Sequence, residues 1–174
     1  MNKELQKIIS QYSEQQDCLD RIVVSSFIRN NDLIVSGGLL AQYYSDDTPI
    51  FAIKTIEDVI KIYELAIPKA EKTKNGAIYT PQYIRDYILE RVVTRQKRPI
   101  QKCLAIDIAC GCGAFLYSLA NYLHTHCKQS YHKSVKHLYG VDISELSVKR
   151  CKILLSLAAL LNGETLEDEE LNII

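Results

Sequence analysis

Between Cys103 and Leu116 the chain runs Cys-Leu-Ala-Ile-Asp-Ile-Ala-Cys-Gly-Cys-Gly-Ala-Phe-Leu, a string that few folds accommodate. Cys103 to Ile108 is a short apolar run of the kind found in strands buried within a parallel sheet. An acid, Asp107, stands near its carboxyl end. Gly111 and Gly113 then let the backbone turn tightly and approach a ligand without Cβ interference. From Ala114 to Leu123 the pattern is helical.

The same alternation is repeated downstream. Val135 to Ile143 contains a second apolar run, Leu138-Tyr-Gly-Val141, closing on Asp142. Ser144 caps a helix whose apolar face is carried by Val148 and by Cys151 to Leu161, and Gly163 ends it. Glu164 to Glu170 reads as a solvated acidic turn, and Leu171-Asn-Ile-Ile174 as the start of a third strand. Strand, helix, strand, helix, strand implies right-handed parallel crossovers and an α/β, doubly wound, Rossmann-like sheet. The chain stops as that third strand begins, so residues 73–174 read as the N-terminal half of such a domain.

The preceding residues, 1–72, read as a small helical cap. Apolar residues recur at helical spacing from Leu5 to Ile28, as one or two helices. Asn30-Asn31-Asp32, Gly37-Gly38 and Asp46-Asp47-Thr48-Pro49 mark turns. Thr55, followed by Glu57 and Asp58, opens a further helix that runs to Ile67 and is ended by Pro68. Lys69 to Gly76 is a polar connector. After Thr80-Pro81, expected as N-cap and first helical residue, Tyr83, Ile84, Tyr87, Ile88 and Val92 form a third helical stripe. The basic residues that close it, Arg91, Arg95, Lys97 and Arg98, have two readings. One is a solvated helix C-terminus favoured by the dipole, the other a phosphate-contacting patch.

Composition excludes several classes. Of 174 residues, 47% are hydrophobic and 24% charged, and 21 cations balance 21 anions, so the whole chain offers no net field to nucleic acid. Any strong DNA-binding surface must be local or on another domain. No apolar stretch approaches the roughly 20 residues that span a bilayer, and the N-terminus lacks a secretory signal, which implies a cytoplasmic protein without a membrane partner. The six cysteines lie inside strand- and helix-like runs and read as reduced thiols. Cys110-x-Cys112 and His124-x-His126-Cys127 have metal-like spacing, but the second group lies at the far end of a helix, roughly 18 Å away at 1.5 Å per residue, so no metal site is expected.

In a doubly wound sheet, ligands sit beyond the carboxyl ends of the strands. Asp142, closing the second strand, is placed to accept hydrogen bonds from two ribose hydroxyls. G-x-G-x-x-G is absent, which argues against NAD, and no Gly-Lys-Ser/Thr follows the turn, which argues against a phosphate loop. A ligand with ribose and adenine but no pyrophosphate fits better, and S-adenosylmethionine is one.

Asp107-Ile-Ala-Cys-Gly-Cys-Gly-Ala-Phe115-Leu116 closely resembles the D-P-A-C-G-S-G-x-F-L signature of amino-nitrogen DNA methyltransferases, above all the N6-adenine enzymes of restriction–modification systems. It departs at Ile108, usually Pro, and at Cys112, usually Ser. Upstream, Lys74-Asn-Gly-Ala-Ile-Tyr79-Thr80-Pro81 is similar to the family's K-x-G-x-[FY]-Y-T-P segment. Downstream, Leu138 to Ile143 is similar to its ribose-binding strand. The resemblance covers about residues 55 to 174 and implies a role for each matching position. Tyr79, Thr80 and Pro81 would close over the methionine moiety, and Asp107 would hold its amino group. Backbone at Ala109, Cys110, Gly111 and Gly113 would line the sulfonium region, with Phe115 beneath the turn. Asp142 would take the ribose, and Ile143 would flank the adenine.

The family's N-P-P-Y or D-P-P-Y loop, which binds the extruded base, is not in these 174 residues, nor is the acid that reads the cofactor adenine. The resemblance therefore implies a cofactor-binding part with no catalytic residue of its own, binding S-adenosylmethionine weakly and inactive alone. DNA would be met through regions mostly outside this chain. Two rivals stay open: a methyltransferase of the same sheet acting on protein or RNA, and a non-catalytic truncated or split subunit that associates through its incomplete sheet edge.

Overall fold

The computed structural model describes residues 3–67 and 80–174. The chain forms two compact units, Met1–Tyr79 and Thr80–Ile174. The boundary expected after residue 72 falls in the segment 68–79, outside the described residues, as do Pro68, the lysine-rich connector and Tyr79. No helix among the described residues is long and apolar enough to cross a membrane.

The first unit is helical, as its 3.6-residue periodicity requires. Helices α1 (Lys3–Tyr12), α2 (Gln16–Asn30) and α3 (Ile56–Leu65) pack around Leu5, Ile8, Leu19, Ile22, Phe27, Val59 and Ile62. Thr55 and Asp58 form a reciprocal capping box at the start of α3. The long connection between α2 and α3 is held by polar groups on α2. Ser25 and Ser26 accept the Ser45 and Phe51 amides, and Asn30 donates to the Phe51 and Ile53 carbonyls, so the backbone of this connection is satisfied without regular structure.

The second unit starts with α4 (Gln82–Arg95), which packs on α5 (Ala114–Cys127). Strands β1 (Ala105–Asp107), β2 (Leu138–Gly140) and β3 (Asn172–Ile173) form a parallel sheet in that order. Ala105 pairs with Leu138, Ile106 with Tyr139, and Tyr139 with Asn172. Helices α5 and α6 (Tyr131–Val135) make the first crossover, and α7 (Glu145–Leu161), capped by Ser144, makes the second. Leu138 and Ile173 turn into the core beneath α5 and α7, with Leu116, Ala120, Leu154 and Leu157.

Four expectations need correction. The strand order runs one way, β1-β2-β3, and the reversal that defines a doubly wound sheet is not found among the described strands. β1 is not buried on both faces: Leu104, Ile106 and Ile108 are 70%, 65% and 78% exposed, because α5 and α7 cover the other face. The stripe Tyr83, Ile84, Tyr87, Ile88, Val92 of α4 also faces outward, and this helix buries Arg85 instead. Its N-cap is Pro81, one residue later than expected, with the Pro81 carbonyl receiving the Ile84 and Arg85 amides.

The acidic segment is not merely solvated surface either. Both Glu164 oxygens accept first-turn amides of α6, from Tyr131 at 2.9 Å and His132 at 3.0 Å. That places a carboxylate at a helix N-terminus, where the dipole and the unpaired amides favour it. Glu170 lies 2.7 Å from the His132 ring, and Asp168 pairs with Lys152. Burial alone would push the Glu170 carboxyl up, but bonds from the Glu167 amide and His132 outweigh it and hold the group below its ordinary range.

Candidate cofactor site

The hydrogen-bond ladder runs on past the ends of the three strands. Val141 donates to the Asp107 carbonyl, Cys110 to the Val141 carbonyl, Ile174 to the Gly140 carbonyl and Asp142 to the Ile174 carbonyl, all at 2.9–3.0 Å. The glycine turn, Asp142 and Ile174 are thereby held in one row at the carboxyl edge of the sheet, where open α/β sheets take their ligands.

Asp142 is the hinge of that row. Its Oδ2 accepts the Gly111 amide at 2.8 Å, and its Oδ1 accepts the Ser144 amide at 2.9 Å. One carboxylate thus ties the first crossover turn to the start of α7, and each oxygen keeps a further lone pair. Asp107 Oδ1 accepts the Ala109 amide at 3.1 Å, while its other oxygen accepts no bond among the described residues. Two carboxylates therefore flank the turn.

The two glycines do different work. Gly111 has φ +53°, and a Cβ placed there would meet nothing within 4 Å, so its face is open to a ligand. Gly113 has φ +87° and abuts Cys151, whose Cα lies 3.2 Å from where a Cβ would stand. It brings the start of α5 directly against α7. Helix α5 begins at Ala114 without a side-chain cap, so its first amides face the turn. Cys110, Cys112 and Cys151 are buried beneath. A hydrogen bond with Cys110, and then burial, pushes the Cys151 thiol well above its ordinary range. It is a neutral packing group, not a nucleophile. Among the described residues no three His, Cys, Asp or Glu side chains converge as metal ligands.

Thr80 and Pro81 are connected to this turn by a relay through Arg85. The Arg85 guanidinium, fully buried, donates to the Thr80 carbonyl at 2.7 Å and to Ser118 Oγ at 3.3 Å. Ser118 in turn donates to the Ala114 carbonyl at 3.0 Å, in the first turn of α5. Asp107, Ala109, Cys110, Gly111, Gly113 and Asp142 are thus joined directly, and Thr80-Pro81 through Arg85. Phe115 is half-buried on α5, and Ile143 stands 85% exposed beside Asp142.

The model of the N-6 DNA methylase family matches residues 54–167, from the start of α3 to beyond α7. The chain belongs to the N-6 DNA methylase family. Neither curated proteins nor solved structures gave a match. Within this N-6 DNA methylase, Arg85 and Cys151 carry no motif of their own. Both become visible only when the structure shows what they touch: Arg85 between two segments 33 residues apart, and Cys151 against Gly113.

Proposed function

We propose that the Thr80–Ile174 unit holds S-adenosylmethionine at the carboxyl edge of its sheet, as the cofactor half of an adenine-specific DNA methyltransferase of the restriction–modification type. The observation that carries this reading is Asp142, fixed by two backbone amides beside an open Gly111. Its remaining lone pairs suit two ribose hydroxyls. Asp107 and Asp142 together would repel a pyrophosphate but favour the cationic sulfonium and amino groups. The first amides of α5 suit the methionine carboxylate.

Tyr79, Thr80 and Pro81 would close over the methionine end, Phe115 would pack beneath the turn, and Ile143 would flank the adenine. When bound, S-adenosylmethionine supplies an activated methyl group. The residues of this chain bind and orient the donor, and rate enhancement comes from alignment with an extruded adenine amino group. The 174 residues contain no N-P-P-Y or D-P-P-Y string, so the chain alone is expected to bind without transferring.

Titration calorimetry on the full chain should show binding weaker than the low-micromolar range, abolished by Asp142→Ala. Amide resonances of Asp107 to Gly113 and of Asp142 to Ser144 should shift on saturation. Unchanged affinity in Asp142→Ala, with the fold intact by circular dichroism, would remove the ribose assignment.

A second reading, a split subunit completed by a polypeptide partner, is favoured by the bare sheet face. Leu104, Ile106, Ile108 and Tyr139 stand exposed there, although parallel sheets are normally covered on both faces. Sedimentation velocity is expected to show self-association that Ile106→Asp reverses. A monomer at all concentrations would leave only the first reading.

A further inference from the structure

Helix α4 and the turn after it carry a concentrated local charge. From Arg91 to Ile106 there are five cations, Arg91, Arg95, Lys97, Arg98 and Lys102, and no acid, in a chain of zero formal charge. All five are exposed, and among the described residues none pairs with a carboxylate. A helix C-terminus favours cations in its last turn, which accounts for Arg95. Lys97, Arg98 and Lys102 lie past the end of α4, where that attraction has faded.

Tyr83, Tyr87, Arg91 and Arg95 follow at four-residue intervals, forming one stripe roughly 18 Å long. The Arg91 guanidinium lies 5.1 Å from the Tyr87 ring centroid, which restrains its charge at the surface. The acids of this helix, Asp86 and Glu90, precede the cationic end. The adjoining apolar stripe, Ile84, Ile88 and Val92, offers nothing to a polyanion and belongs to the question of a polypeptide partner.

We propose that the cationic end of α4 and the turn to Lys102 bind the sugar–phosphate backbone of DNA, as a sequence-independent contact that positions the duplex. The inference rests on the DNA reading above but not on the cofactor site. Five cations neutralising five phosphates give a slope of log affinity against log salt near −4.5, at about −0.9 per contact. Between 50 and 200 mM salt that is a loss of about 500-fold.

The test is fluorescence anisotropy of the full chain on an arbitrary 20-base-pair duplex across a NaCl series. Arg95→Gln, Lys97→Gln and Arg98→Gln combined should lower the slope magnitude by about 2.7, leaving only about a 12-fold loss over the same salt range. Asp86→Asn with Glu90→Gln should instead tighten binding. An unchanged slope in the triple variant, no binding at 50 mM salt, or equal binding to anionic vesicles would overturn the proposal. S-adenosylmethionine titration of the same triple variant should match the parent chain, so failure here and failure of the cofactor reading are separable.

Discussion

Gly113→Ala is expected to destabilise the Thr80–Ile174 unit by about 3–4 kcal/mol, while Gly111→Ala costs about 1–2 kcal/mol, read as shifts in urea midpoint. Both glycines have positive φ, so both substitutions incur the left-handed penalty of an L side chain. Only at Gly113 would the new methyl overlap the Cys151 sulfur and approach the Cys151 Cα to 3.2 Å, with no flexible side chain able to move aside. The neighbour is backbone of α7, so the response must be separation of α5 from α7, the two helices that cover the sheet. The double variant Gly113→Ala, Cys151→Ala should recover part of the loss, because the sulfur is gone while the Cα remains. Equal costs at the two glycines would show that conformation alone, and not close approach of the helices, explains Gly113.

That contrast marks what could be read in the sequence. The order of strand, glycine turn, helix and strand follows from runs such as Cys103–Ile108 and Leu138–Val141, and from Ser144 as a cap, because those signals are local. The grouping of Asp107, Gly111, Gly113 and Asp142 was legible through resemblance, and the structure adds the Gly111–Asp142 bond that joins them. What lies against an apolar stripe was not legible. Tyr83, Ile84, Tyr87, Ile88 and Val92 share one helix face, as their spacing requires, but periodicity cannot say whether anything covers it. The exposed side chains of β1 give the same lesson for period two. Glu164 reads as solvent-facing until the N-terminus of α6 is placed beside it.

Arg85 is where these limits have the largest energetic consequence. Arg85→Ala is expected to cost about 3–4 kcal/mol, since it removes charge-assisted bonds to Thr80 and Ser118 and leaves a cavity between α4 and α5. Arg85→Lys should recover little, because one ammonium cannot reproduce the planar fork that bridges a carbonyl on one side and a hydroxyl on the other. The loss should be local first. Thr80 lies at the start of the unit and its carbonyl is held by Arg85, so the amides of Gln82 to Arg85 should lose hydrogen-exchange protection before those of α7. Arg85→Met combined with Ser118→Ala should be milder than the sum of the two single changes, since the hydroxyl that Arg85 satisfies is removed with it. If Arg85→Lys were as stable as the parent chain, the guanidinium would be a space-filling side chain, and Thr80-Pro81 would need another tether to the first turn of α5.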